Sequence, residues 1–318
     1  MLKYTLKKLL LIIPMLFVIS VLVFFAMTKT NADPINYLIP ADVVLTPENL
    51  AAMRAKYGLD QPVYIQYFNW ISHVLQGDFG VSIVTGIPVA TIIADHLPAT
   101  FELALGALLI STVIGITLGV LSAIYQNSAI DYIGRFITVL GISIPQFFFG
   151  IIMILIFAIK LGVLPVGGRV DPSCVTFADR FKYLVLPTLT MSISLISTLL
   201  KYTRNSMLEV LNKDYIKVAR MKGIPEWKVY FKHALRNSLK PVMVLLVFRL
   251  PMLISGSVVI EAVFSWPGIG TQIVAATTSG DYPVIMITTL LIATAILLAS
   301  VLLDVLTAWL DPRVRLGD

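Results

Sequence analysis

The sequence predicts an all-α integral membrane fold with six transmembrane helices, and three observations carry that prediction. Hydrophobic residues make up 58% of the 318-residue chain and charged residues 13%, against ~45–50% and ~25% in soluble domains. Six stretches, at about 9–28, 99–125, 136–159, 184–202, 239–262 and 284–309, reach the ~20 mostly apolar residues that a ~30 Å hydrocarbon core requires. Most basic residues lie outside these stretches. So little charge does not cover a soluble globule of this size, and so much hydrophobicity excludes disorder.

The first span follows Lys3, Lys7 and Lys8, as the core of a secretory signal would. Its apolar run exceeds the ~7–15 residues of such a core, and no small-x-small cleavage site follows Ala26, so it reads as a retained anchor. With the amino terminus inside, sixteen Lys and Arg fall on cytoplasmic segments and seven on external ones, and Arg249 lies within a span. That imbalance predicts a multi-pass protein with both termini cytoplasmic. Residues 1–28 then form the cytoplasmic tip and first span, and 29–98 an extracytoplasmic segment. Residues 99–310 form a core of five further spans, and 311–318 a cytoplasmic tail.

The segment 29–98 carries two expected amphipathic helices. Thr46-Pro47-Glu48 is a helix start, with Leu50, Met53 and Tyr57 on one face and Gly58 as a stop. A second helix, Pro62 to Gln76, presents Tyr64, Tyr67, Phe68 and Trp70, either to the bilayer interface or to the other spans as a small lid. The loop Lys160–Tyr183 reads as irregular. The loop Ser265-Trp266-Pro267-Gly268-Ile269-Gly270 is turn-forming, with Trp266 at headgroup depth.

The cytoplasmic loop at 203–238 is the most informative stretch. Between Lys201 and Lys240 lie ten basic and three acidic residues, a local charge of +7 within a chain whose total is +6. Leu208, Leu211, Tyr215 and Val218 recur at helical steps and predict one helix ending at Gly223. Pro225-Glu226 starts a second helix after that turn. Charge alone fits the positive-inside bias, anionic lipid or a cytoplasmic protein partner. Nucleic acid fits worse, because no RNA-binding signature accompanies basic residues tied to a helix beside the bilayer.

Chemistry is sparse. A single cysteine, Cys174, excludes an intrachain disulfide. His73, His96 and His233 are too far apart for a helix-borne metal site, and no metal ligand set is expected. There is no Gly-x4-Gly-Lys-Ser/Thr phosphate loop and no Ser/His/Asp set or spaced acidic pair, so the chain reads as non-catalytic.

Asp214-Tyr215-Ile216-Lys217-Val218-Ala219-Arg220-Met221-Lys222-Gly223, followed by His233-Ala234-Leu235-Arg236-Asn237 and Pro241, resembles the coupling loop of bacterial ABC-importer permeases. More narrowly, it resembles the first permease subunit of the dipeptide/oligopeptide/nickel family. Of the general importer pattern E-A-A-x3-G only Ala219, Gly223 and the later Leu235 are met, while the narrower family's variant is met almost completely. Gly77-Asp78-Phe79-Gly80, Leu97-Pro98-Ala99-Thr100, Gly141-Ile142-Ser143-Ile144-Pro145, Glu261–Gly270, Asp281-Tyr282-Pro283 and Asp311-Pro312 agree in order and spacing over the whole chain.

The resemblance implies a type I ABC-importer fold in the bacterial inner membrane, with a coupling helix between spans four and five. ATP and Mg²⁺ would bind two separate cytoplasmic ATPase subunits, and no cofactor would bind this chain. A homologous second permease, an extracytoplasmic substrate-binding protein and the lipid bilayer would be its other partners. The substrate would be short peptides, or alternatively a nickel chelate, glutathione or an oligosaccharide. A secondary transporter or channel is the alternative of a different class.

The implied coupling residues are Leu208, Leu211, Asp214, Tyr215, Val218, Ala219, Arg220, Lys222, Gly223, His233 and Arg236. Pro145 is placed to kink span three toward a water-filled path. Arg249, an ionisable residue inside a span, either meets substrate in that path or pairs with Asp304. Glu261, Trp266 and Asp281 at the outer mouth either touch the binding protein or hold the loops. Gly115 and Gly119 are a small-x3-small pair, for contact with another subunit or within the chain.

Overall fold

Long apolar runs become helices because a backbone in hydrocarbon must satisfy its own hydrogen bonds. The structure, a computed structural model, describes residues 2–29, 51, 54–55, 60–170 and 176–310. The expected helix at Thr46, Cys174 and the tail 311–318 lie outside the described residues. The elements are α1 (Leu2–Thr28), α2 (Val63–Leu75), α3 (Val89–Ile124), α4 (Ala129–Ser143) and α5 (Gln146–Met153), which continues as a π-helical stretch Ile154–Lys160. Then follow α6 (Phe177–Leu211), α7 (Asp214–Met221), a single turn Glu226–Lys228, a π-helical stretch Val229–Ala234, α8 (Leu235–Phe248), α9 (Leu250–Val263), α10 (Ile269–Ser279) and α11 (Tyr282–Leu310).

Among the described residues, four helices are long and apolar enough to cross a membrane: α1, α3, α6 and α11. A fifth crossing arises if α4 and the α5 segment are one span, bent by 109°. The break falls where Ile144 is extended and Pro145 caps α5, so the kink expected at Pro145 is a full change of direction. Span five, expected at 239–262, divides into α8 and α9 at Arg249. Helix α3 starts at Val89, ten residues before the expected membrane entry, and runs through Pro98.

The frame is the α3–α6 pair, the most extensive helix contact among the described residues. A Cβ on Gly115 would lie 2.7 Å from Leu199 Cβ, and one on Gly119 would lie 2.6 Å from Thr203 Cβ. This glycine pair therefore serves packing inside the chain. Helix α6 contributes a buried hydroxyl face: Ser192 Oγ donates to Thr188 O at 2.6 Å, and Ser197 Oγ to Ile137 O of α4 at 3.0 Å. Small and hydroxyl side chains permit this close approach where no hydrophobic drive separates helix from lipid.

Helix α1 packs along α11. Lys8 of α1 pairs with Asp304 of α11 at 3.1 Å, and Met27 packs on the cluster of Val89, Ile93 and Val284 at the opposite end. Helix α2 lies on α1 through Tyr67, whose hydroxyl shares a 2.8 Å hydrogen bond with Ser20 and whose ring meets Phe17 and Phe24 edge-on. Of the two readings for these aromatics, the lid holds for the buried Tyr67, while Tyr64 and Phe68 stay exposed.

Candidate functional site

A helical hairpin projects from the end where α6 stops. Helix α6 ends at Leu211, and Asn212 Nδ2 folds back onto Leu208 O at 3.0 Å. Lys213 is extended (φ −72°, ψ 149°), and α7 starts at Asp214, whose carboxylate takes Lys217 at 3.0 Å. The single helix expected from Leu208 to Gly223 is therefore two helices with a break at 212–213. The helical spacing of Leu208, Leu211, Tyr215 and Val218 is interrupted there, and the four residues do not share a face. Leu208 and Leu211 pack into the chain's own cluster with Met207, Val120 and Ala123.

The buried face of α7 is Ile216 and Ala219, set against Val229 and Ala234 of the second arm. Tyr215 and Val218 lie on the other side, 44% and 43% exposed, with Met221 more exposed still. Gly223 closes α7 at φ +73°, a left-handed conformation that costs glycine nothing. Arg220 then clamps the turn, its Nε and Nη2 donating to the two Glu226 oxygens at 2.9 and 3.2 Å. The Arg220 guanidinium holds the Glu226 carboxyl below its usual range, and Lys217 does the same for Asp214. On the second arm Trp227 and Phe231, four residues apart, are exposed beside Lys228 and Lys232. Asn237 Nδ2 donates to the Tyr215 hydroxyl at 3.1 Å and ties that arm to α7. Lys222 and Arg236 are exposed and His233 half-buried.

At the opposite end, the residues expected at the outer mouth are turned inward. Glu261, Trp266 and Asp281 are 0%, 1% and 4% exposed. Glu261 Oε1 accepts from Thr100 Oγ1 at 2.8 Å, and Oε2 accepts from Thr271 N at 3.1 Å. Trp266 Nε1 donates to Ala99 O at 2.9 Å. A Cβ on Gly270 would fall 2.6 Å from Val258 Cα, so glycine lets the turn seat against α9. Asp281 accepts from the Ser82 hydroxyl and, at 3.2 Å, from Ile83 N. Each of the three holds a loop to a helix.

Between the ends, Arg249 stands at the α8–α9 junction and borders a small space with Ser111, Thr198 and Leu199. Asp304 of α11 pairs with Lys8 of α1 at 3.1 Å.

Residues 115–316 match the family described as binding-protein-dependent transport system inner membrane component. Residues 1–104 match the amino-terminal membrane component of the same system. The chain belongs to this transport family. It is 39% identical over 98% of its length to the oligopeptide transport system permease protein AppB of Bacillus subtilis, covering 99% of that protein. It is 39% identical over 99% of its length to the dipeptide transport system permease protein DppB of Lactococcus lactis, covering all of it. Identity to the glutathione transport system permease protein GsiC of Salmonella typhimurium is 36%, with 99% of each chain covered. As a member of this family the chain is a multi-pass membrane component of a binding-protein-dependent transporter.

One feature of this transport component was not legible in sequence. Asp131, fully buried, accepts from Arg204 Nε at 2.6 Å and Nη2 at 2.9 Å, from Arg135 Nη2 at 2.6 Å and from Asn127 N at 3.0 Å. Asn127 reaches it from a left-handed turn at φ 61°. Asp131 lies in a loop by hydropathy and 73 residues from Arg204. Only the Asp131–Arg135 spacing of i,i+4 hinted at a pair.

Proposed function

We propose that this chain is a translocation subunit of an ATP-driven importer for short peptides. The observation that carries the reading is the hairpin: its inner face is filled by the chain itself, while Tyr215, Val218 and Met221 remain exposed on the outer face. An apolar face of this kind, rimmed by Lys217, Arg220 and Lys222, suits a groove on a cytoplasmic ATPase. Each of these apolar side chains contributes ~1.5–3 kcal/mol when fully buried, and the rim charges set orientation. ATP and Mg²⁺ then belong to two such ATPase subunits. Closure of that pair pushes the hairpin, and the attached spans pass between outward- and inward-open arrangements.

The rest of the assembly follows from the same reading. Six spans are reached when α8 and α9 cross as one broken segment, and both termini lie on the hairpin side, as the distribution of Lys and Arg supports. A homologous second permease completes the path, and an extracytoplasmic binding protein delivers the substrate. Pro145 and Arg249 border the path, at the two places where a span is interrupted and backbone groups are freed. The names of the oligopeptide and dipeptide relatives favour peptides over glutathione as the substrate class.

The test is co-purification. The ATPase is expected to accompany the parent chain and to be released by Tyr215→Asp, and uptake of labelled di- and oligopeptides is expected to exceed that of glutathione. ATPase retained by Tyr215→Asp overturns the docking role. Glutathione as the preferred substrate overturns the substrate class. Arg249→Leu is expected to abolish uptake with assembly intact, and normal uptake removes Arg249 from the path.

A further inference from the structure

Beside the buried Asp131 cluster, a cleft of about 450 Å³ opens between α4 and the end of α6. Its polar lining includes Arg135, Lys201 and Arg204, and its apolar lining Val139, Ile142 and Leu200. The charges do not balance. Asp131 is the carboxylate that both arginines share, so three cations against one anion leave this region at +2. Four hydrogen bonds saturate Asp131, and they fix both guanidinium groups without using all of their N–H donors. Lys201 is exposed and makes no ion pair among the described residues. The result is a preorganised set of cations whose own counter-ion is already fully engaged.

The position of the cleft narrows the ligand. It sits at the hairpin end, where Val120 and Ala123 of α3 join Met207 and the hairpin in one cluster. From it, Ile133, Phe136 and Val139 continue along α4 as an exposed apolar face. A ligand that fits both parts has an anionic head and an apolar tail. The volume lies within the ~300–1,000 Å³ of small-ligand sites, and basic pockets between membrane helices on the cytoplasmic side suit anionic headgroups. Free phosphate or a nucleotide would leave the apolar wall unused.

We propose that this cleft holds the headgroup of an anionic phospholipid of the cytoplasmic leaflet, gripped by Arg135, Arg204 and Lys201, with its acyl chains along α4. The proposal rests on the hairpin side being cytoplasmic. Bound lipid bridges α4 to α6 and so connects the bent span to the helix that carries the hairpin.

The test uses the whole transporter, reconstituted in phosphatidylcholine vesicles with or without phosphatidylglycerol. Phosphatidylglycerol is expected to remain bound after delipidation, detected by native mass spectrometry, and to raise the thermal midpoint. Lys201→Gln and Arg135→Gln are each expected to weaken it about fivefold, and Arg135→Lys to restore part of the loss. Equal retention by parent and Lys201→Gln/Arg135→Gln overturns the proposal, as does competition by inorganic phosphate at equal concentration. A cross-link from Asn205→Cys to the second permease would show the cleft occupied by protein and likewise overturn it. The sidedness is read separately: labelling of Asn205→Cys from the external face would refute the topology, whatever the lipid result.

Discussion

The cluster around Glu261, Trp266 and Asp281 and the hairpin are both rich in motif residues, yet they direct them oppositely. Glu261, Trp266 and Asp281 are buried and hydrogen-bonded within the chain, while Tyr215, Val218, Met221 and Trp227 remain exposed. The difference teaches that a recognisable motif marks constraint, and that burial decides whether the constraint comes from inside the chain or from a partner. A residue whose polar atoms are all satisfied internally has nothing left to offer another protein.

The sharpest way to break this contrast is at Glu261. Glu261→Ala leaves the Thr100 hydroxyl and the Thr271 N–H without their acceptor, at ~1–3 kcal/mol for each buried group. A large drop in the thermal midpoint is expected, with assembly and transport lost together. An unchanged midpoint with transport lost would turn Glu261 back into a partner contact. The hairpin should behave in the opposite way. Tyr215→Asp with Val218→Asp is expected to cost only about 1 kcal/mol of stability, for the lost hydrogen bond from Asn237. ATPase affinity should fall at least about a hundredfold, read by titration of the detergent-solubilised complex.

Gly223→Ala gives a smaller effect. No atom lies within 4 Å of the added Cβ, so the cost is the left-handed backbone alone, ~1–2 kcal/mol. It should appear as faster hydrogen exchange in α7, with Gly223→Asn milder. Smallest is the Arg220–Glu226 clamp, a surface pair worth under ~1 kcal/mol. Because Arg220 lowers the Glu226 pKa, its contribution is complete above the ordinary 4.5 and is lost as pH falls below that value. Arg220→Met should flatten the dependence of hairpin stability on pH below 4.5, and an unaltered slope there would show that the clamp contributes nothing.

How far the sequence reached follows from the physics of each signal. The bilayer excludes charge over a fixed thickness, so both ends of α11 and the carboxy-terminal end of α1 fell within two residues of the hydropathy limits, while α1 starts seven residues early through Lys3, Lys7 and Lys8. The Pro145 break was legible because proline lacks a donor. The division at Arg249 had a signal in Pro251, which falls in the first turn of α9, but the apolar run on both sides reads as one span by hydropathy. Within the hairpin, the spacing of Leu208, Leu211, Tyr215 and Val218 satisfied a helix across a break that only Asn212 and Lys213 create. Ile216 and Ala219 were present in the same pattern, but two interleaved apolar faces do not say which one turns inward. Asp131 is the deeper omission: its partner Arg204 comes from another helix, and such pairings carry no local signature.

The length of α6 has a mechanical consequence. Its 35 residues span ~52 Å at 1.5 Å per residue, well beyond the hydrocarbon thickness. The same rod carries the chain to the hairpin at one end and spans the membrane with the other. If it pivots as a stiff body, a tilt of about 10° imposed at one tip displaces the opposite tip by about 9 Å, by the geometry of a lever of that length. Modest angular work at the membrane surface is thereby converted into a displacement of side-chain size or more at the far face, and the tight glycine seams with α3 oblige that helix to swing with it.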